Sequence, residues 1–92
     1  MMLDNDIAEC VIDLSANLSW FGRLDEVRRD VLIDMCFNLG ITRLLGFRRM
    51  LAACKNEDWT WAANEMLASK WAKQVGKRAY ELADMMLTGE RE

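Results

Sequence analysis

The sequence predicts an all-α protein, a compact bundle of five or more helices. Three observations carry this. Proline is absent from the 92 residues. The five glycines fall mostly between apolar segments, where they punctuate helices. Apolar residues recur at spacings of three and four. A chain of this length buries about 65% of the surface its unfolded form exposes, enough for one modest core, so residues 1–92 are expected to form a single helical domain.

Taken in order, Leu3, Ile7, Val11, Leu14 and Leu18 make one stripe on a first helix from about Met2 to Leu18. Asp25 and Glu26 place carboxylates at the positive end of a second helix, roughly Asp25 to Leu39, closed by Gly40. Its apolar residues Val27, Val31, Leu32, Ile33, Met35, Cys36, Phe37 and Leu39 surround the C-terminal half, which is expected to be buried on nearly all sides. Leu44, Leu45, Phe47, Met50, Leu51 and Cys54 form a shorter third helix. Trp59, Ala62, Ala63, Met66 and Leu67 form a fourth, entered through Asn56, Glu57 and Asp58. Trp71 and Val75 precede a break at Gly76. Ala79, Leu82, Ala83, Met86 and Leu87 then run to a stop at Gly89.

Composition excludes several chemistries. Histidine is absent, which removes Ser-His and Cys-His nucleophile pairs and His-based metal sites. Cys10, Cys36 and Cys54 lack the close spacing of metal or redox motifs and read as buried thiols. No cofactor or metal is expected. No apolar run approaches the roughly 18 residues needed to cross a bilayer, and no secretion signal is visible, so a cytosolic product without a membrane partner is expected.

Net charge is −3. Met1 to Asp34 hold eight acids and three bases, whereas Met35 to Gly89 hold five acids and eight bases. Lys70, Lys73, Lys77 and Arg78 would form a basic ridge if Gly76 does not break the helix. A pI near 4.9 and the lack of a groove-reading motif argue against nucleic acid. Asp4, Asp6, Glu9 and Asp13 read as a wet helix face, not as a proton donor, whose pKa must be raised. Of the four tryptophans, Trp59 and Trp61 cannot share one helix face, and Trp61 is the one expected at the surface.

The order of short segments resembles a known family. Leu3-Asp4-Asn5-Asp6-Ile7-Ala8, Leu24-Asp25-Glu26-Val27-Arg28-Arg29 and Asp34-Met35-Cys36-Phe37-Asn38-Leu39-Gly40 come first. Leu45-Gly46-Phe47, Asp58-Trp59, Ala62-Ala63, Met66 to Trp71, Gln74, Arg78-Ala79 and Leu87-Thr88-Gly89 follow. Together they resemble the helical C-terminal lobe of phage T4-type lysozymes, endolysins of phage or prophage origin, with residues 1–18 matching the helix between lobes.

The resemblance implies a glycoside hydrolase that cleaves between N-acetylmuramic acid and N-acetylglucosamine in peptidoglycan. It implies synthesis in the cytoplasm of a phage-infected or prophage-carrying bacterium and action on its cell wall after release, with bacteriolysis as the outcome. By the same resemblance Phe37, Asn38, Ser69, Trp71 and Arg78 match substrate-groove positions, Arg78 standing where an arginine pairs with the catalytic Glu. Met50 and Glu65 depart from the small polar or amide groups that relatives place against the saccharide. The Glu-Gly-x-Arg-like segment that supplies the acid, with its Tyr, Asp and Thr, is not found in the 92 residues. The chain therefore reads as truncated, with no catalytic residue of its own and no expected activity alone. Peptidoglycan is the expected partner, and the apolar face on the first helix and around Phe37 predicts self-association.

Overall fold

The computed structural model describes residues 2–91, with side chains described from Ile7 onward. Seven α-helices and one 3₁₀ turn appear among them, and no strand. The helices are α1 (Met2–Asn17), α2 (Glu26–Leu39), α3 (Ile41–Leu45), α4 (Arg48–Lys55), α5 (Trp59–Leu67), α6 (Lys70–Val75) and α7 (Lys77–Thr88), and the 3₁₀ turn is Phe21–Arg23. No helix is long and apolar enough to cross a membrane among the described residues.

The chain separates into two compact units between Gly46 and Phe47. In the first, α1 packs on α2 and α3, and α2 packs on α3. Cys10 and Leu14 in α1, with Leu18 just past its end, make a buried line four residues apart. The expected stripe is therefore only half realised: Leu14 and Leu18 are buried, Ile7 and Val11 are exposed, and the side chain of Leu3 lies outside the described residues. The carboxyl oxygen of Asp25 accepts the backbone N–H of Arg28 at 3.1 Å, which makes Asp25 the cap and starts α2 at Glu26. Val31, Leu32, Met35 and Cys36 are buried in α2, but Phe37 is 45% exposed. Burial of this half on nearly all sides does not hold, because the consecutive apolar residues 35–37 point around the helix and only one side meets α1 and α3.

In the second unit α5 is the hub, packing on α4, α6 and α7, and α7 also packs on α6. Met50, Leu51, Cys54, Ala62, Ala63, Met66, Leu82, Ala83 and Met86 are buried here. The expected third helix is two helices. The Gly46 N–H bonds back to the Arg43 carbonyl at 3.0 Å in a tightened turn, and Phe47 takes φ −78°, ψ 58°, outside the helical region. Asp58 caps α5 by accepting the Trp61 N–H, at 3.2 Å. Gly76 takes φ +61°, ψ −123°, a conformation closed to most L-residues, and it ends α6 completely. The basic ridge is therefore split, Lys70 and Lys73 on α6 and Lys77 and Arg78 on α7.

Candidate functional site

Phe37 and Asn38 occupy the last turn of α2 in the first unit; Ser69, Trp71 and Arg78 belong to the second. Each unit presents its own candidate surface.

On the first unit the ring of Phe37 stands between two shallow pockets. One, of about 330 Å³, is lined by Ile7, Asp30, Ile33, Asp34 and Phe37. The other, of about 290 Å³, is lined by Glu9, Cys10, Asp13, Cys36, Phe37, Gly40 and Ile41. Asn38 is held one turn along from Asp34, its Nδ2 donating to the Asp34 carbonyl at 3.0 Å and to Oδ1 at 3.2 Å. Both donated bonds run along the helix, so the amide oxygen is the group Asn38 offers to a ligand. A half-exposed aromatic ring beside two carboxylates and an amide suits a sugar, whose C–H face stacks on the ring while its hydroxyls bond the polar rim.

On the second unit the three predicted residues have different surroundings. Ser69 caps α6: its hydroxyl donates to the Met66 carbonyl at 2.6 Å and accepts the Ala72 N–H at 3.3 Å. Trp71, two residues later, is 3% exposed and meets the Phe47 ring edge to face, with centroids 6.5 Å apart and planes at 81°. Its indole Nε1 is buried with no hydrogen-bond partner. Arg78, in the first turn of α7, has an exposed guanidinium whose Nη1 is 3.2 Å from Glu81 Oε1. The exposed indole of the unit is Trp61, 53% exposed, whose Nε1 donates to Glu65 Oε2 at 3.1 Å. With Asp58, Thr60, Asn64 and Glu65 it lines an open depression of about 360 Å³. Glu65 therefore presents an anchored carboxylate at a position where the family resemblance leads one to expect a small polar or amide group.

Asp30 and Asp34 were not marked by sequence reasoning as part of the surface around Phe37. The available signal was their spacing: three and seven residues before Phe37 on one helix, they fall on its face. Electrostatics add one further feature. Burial pushes the Asp25 carboxyl up, but the Arg28 N–H, guanidinium and charge together outweigh it and hold the pKa below its usual value. No group of three or more metal-binding side chains comes together among the described residues.

No family model matches the sequence. The chain is similar to two proteins of Dictyostelium discoideum, Probable T4-type lysozyme 1 and Probable T4-type lysozyme 2. Each is 30% identical over 87 residues, covering 94% of this chain and 51% of the relative. The chain thus spans about half the length of the curated relatives it matches. Over nearly all of its own length the chain is thus similar to proteins named as T4-type lysozymes, and its all-helical architecture is consistent with that similarity.

Proposed function

We propose that these 92 residues are the helical half of a phage-type lysozyme, and that this half holds a peptidoglycan strand without cleaving it. Hydrolysis of a glycosidic bond needs one carboxylic acid with a pKa raised by desolvation, facing a second carboxylate roughly 5–9.5 Å away. No charged or polar side chain among the described residues is buried, and this observation carries the reading. Of the half-buried carboxylates, Asp34, Glu65 and Glu81 already accept hydrogen bonds from Asn38, Trp61 and Arg78. Asp4 and Asp6 have side chains outside the described residues.

Binding is supported by the exposed Phe37 ring with Asp30, Asp34 and Asn38 around it. The test is sedimentation of the purified chain with insoluble peptidoglycan, followed by analysis of the supernatant for muropeptides. Co-sedimentation without release is expected. Release that disappears when one of the chain's own carboxylates is neutralised would overturn the absence of catalysis, and a chain left wholly in the supernatant would overturn the binding.

A second reading, a module that self-associates, is favoured by one observation: Ile7, Val11 and Phe37 are all exposed on the first unit, and Ile7 and Phe37 line one pocket. Light scattering across a concentration series tests it. A mass that stays at one chain throughout rejects this reading.

A further inference from the structure

We propose that the open depression around Trp61 is a binding site for an alkylammonium group, the side chain of a lysine on a peptide, held between the indole and the carboxylates of Asp58 and Glu65. The site lies wholly within the second unit, apart from the Phe37 surface, and it stands whether or not that surface holds a glycan. Asp58, Trp61 and Glu65 are three and four residues apart at the start and along the length of α5, so the two acids flank the ring, one turn before it and one turn after it. Each is tied to the tryptophan it flanks: Asp58 Oδ1 accepts the Trp61 backbone N–H at 3.2 Å, and Glu65 Oε2 accepts the indole Nε1–H at 3.1 Å. The ring is 53% exposed but anchored by its N–H edge, so its open surface is oriented before a ligand arrives.

Charge decides the ligand class. Met35 to Gly89 hold five acids against eight bases, yet two of those acids and none of those bases line the depression, with Thr60 and Asn64 completing it. The bonds to Trp61 neutralise neither carboxylate, because both donors are uncharged N–H groups. An anion would meet like charge here. A neutral sugar could stack on the indole but would leave both charges uncompensated. A cation supplies the missing charge, the electron-rich indole face attracts it, and a methylene stem packs along the ring. One oxygen of each carboxylate is already engaged by Trp61, which spoils the two-point face that a guanidinium fork matches best. An ammonium is a point charge with three donors and can serve the two remaining oxygens, Asp58 Oδ2 and Glu65 Oε1, one at a time or together.

Trp20 and Trp71 are the internal controls. They are 7% and 3% exposed, so their indoles are closed to a ligand that reaches Trp61.

The experiment titrates the isotope-labelled native chain with Nα-acetyl-lysine amide, whose ε-ammonium is its only charge, and follows the indole N–H signals by proton–nitrogen NMR. The Trp61 signal is the one that Trp61→Phe removes. A saturable shift of that signal is expected, with the Trp20 and Trp71 signals unmoved. Acetylating the ε-amine keeps the stem and removes the charge, and should abolish the shift; N-acetylglucosamine should not displace the amine. Glu65→Gln keeps an acceptor for the indole N–H and Asp58→Asn keeps a helix cap, so each removes a charge without removing the bond to Trp61. Each should weaken binding about two- to fivefold, and added salt should weaken the parent's binding as well. No saturable shift, a shift that survives acetylation of the probe, displacement by the sugar, or an affinity unchanged in both variants would each overturn the proposal. No readout uses peptidoglycan, so failure here is distinct from failure of the glycan reading.

Discussion

Replacing Trp71 by alanine should cost the second unit about 3–5 kcal/mol of stability. The side chain is 3% exposed, so folding withdraws roughly 200 Å² of mostly apolar surface. At ~25 cal/mol per Å² that is about 5 kcal/mol, an upper figure because unfolded chains already shield part of it. The edge-to-face contact with Phe47 adds about 0.5–1.5 kcal/mol beyond area. The partnerless Nε1 works against the total, since a buried donor left without an acceptor costs about 1–3 kcal/mol. Trp71→Phe keeps an aromatic ring against Phe47 and removes that donor, so its loss should be at most about half that of Trp71→Ala. The assay is urea unfolding followed by far-UV circular dichroism, which does not depend on the indole signal. A loss under about 1 kcal/mol for Trp71→Ala, with an unchanged denaturant slope, would show that the indole is not packed as described. A glycan-binding defect without any stability loss would assign Trp71 to the ligand instead.

Three further outcomes follow from single residues. Asp25→Ala should destabilise by about 1 kcal/mol at neutral pH through loss of the α2 cap. Because the folded carboxyl pKa is lowered, its contribution is present above the ordinary value of 3.8 and is lost as pH falls through the folded value, so parent and variant melting curves should converge in acid. Phe37→Ala, at an exposed ring, should change stability by no more than about 0.5 kcal/mol yet lower the fraction that sediments with peptidoglycan several-fold; an undiminished pellet would remove Phe37 from the binding surface. Gly76→Ala should cost about 1–3 kcal/mol from backbone strain alone, since φ is +61° and a methyl group there meets nothing within 4 Å. Gly22→Ala, with equal space and no positive φ, is the comparison, and equal melting temperatures for the two would refute the strain argument.

Much of the fold is legible in the sequence where local chemistry decides it. Asp25, Asp58, Gly40, Gly76 and Gly89 mark helix ends because a side-chain acceptor or a glycine φ is a property of one residue and its neighbours. The break at Gly46 was not legible, because Gly46 itself has ordinary helical angles and the departure sits on Phe47, whose type has no preference for it. The same limit applies to the surface. Periodicity places Phe37 among apolar neighbours but cannot say which side of α2 meets α1 and α3, so periodicity alone puts in the core a ring that the family resemblance puts at the surface of a groove. Trp61 was placed outside correctly because Trp59, Ala62, Ala63 and Met66 claim the other face of α5. Of the candidate site, residue types and their order were readable; their accessibility depended on tertiary packing, which put Trp71 inside and left Arg78 out.

The two readings of the Phe37 surface place opposite demands on its charges. The segment Met1 to Asp34 holds eight acids against three bases, and two of those acids, Asp30 and Asp34, line the pocket that contains Ile7 and Phe37. A second copy docking there would bring like charge against like charge and would strip water from carboxylates, at about 1–3 kcal/mol for each one left without a partner. Salt shortens the Debye length from about 30 Å at 0.01 M to roughly 8 Å at 0.15 M, so a dimer through this face should strengthen as salt rises. The N-acetylated sugar rings of a glycan strand bring no charge of their own; they can donate hydroxyls to the same carboxylates and stack on the ring, so binding should change less with salt than docking of a second copy does. Sedimentation with peptidoglycan and light scattering, each run at both salt concentrations, therefore separate the readings. Glycan binding that holds while the mass stays monomeric supports the saccharide surface, and a mass that doubles only at the higher salt identifies the self-associating face and removes the reason for assigning Phe37 to a ligand.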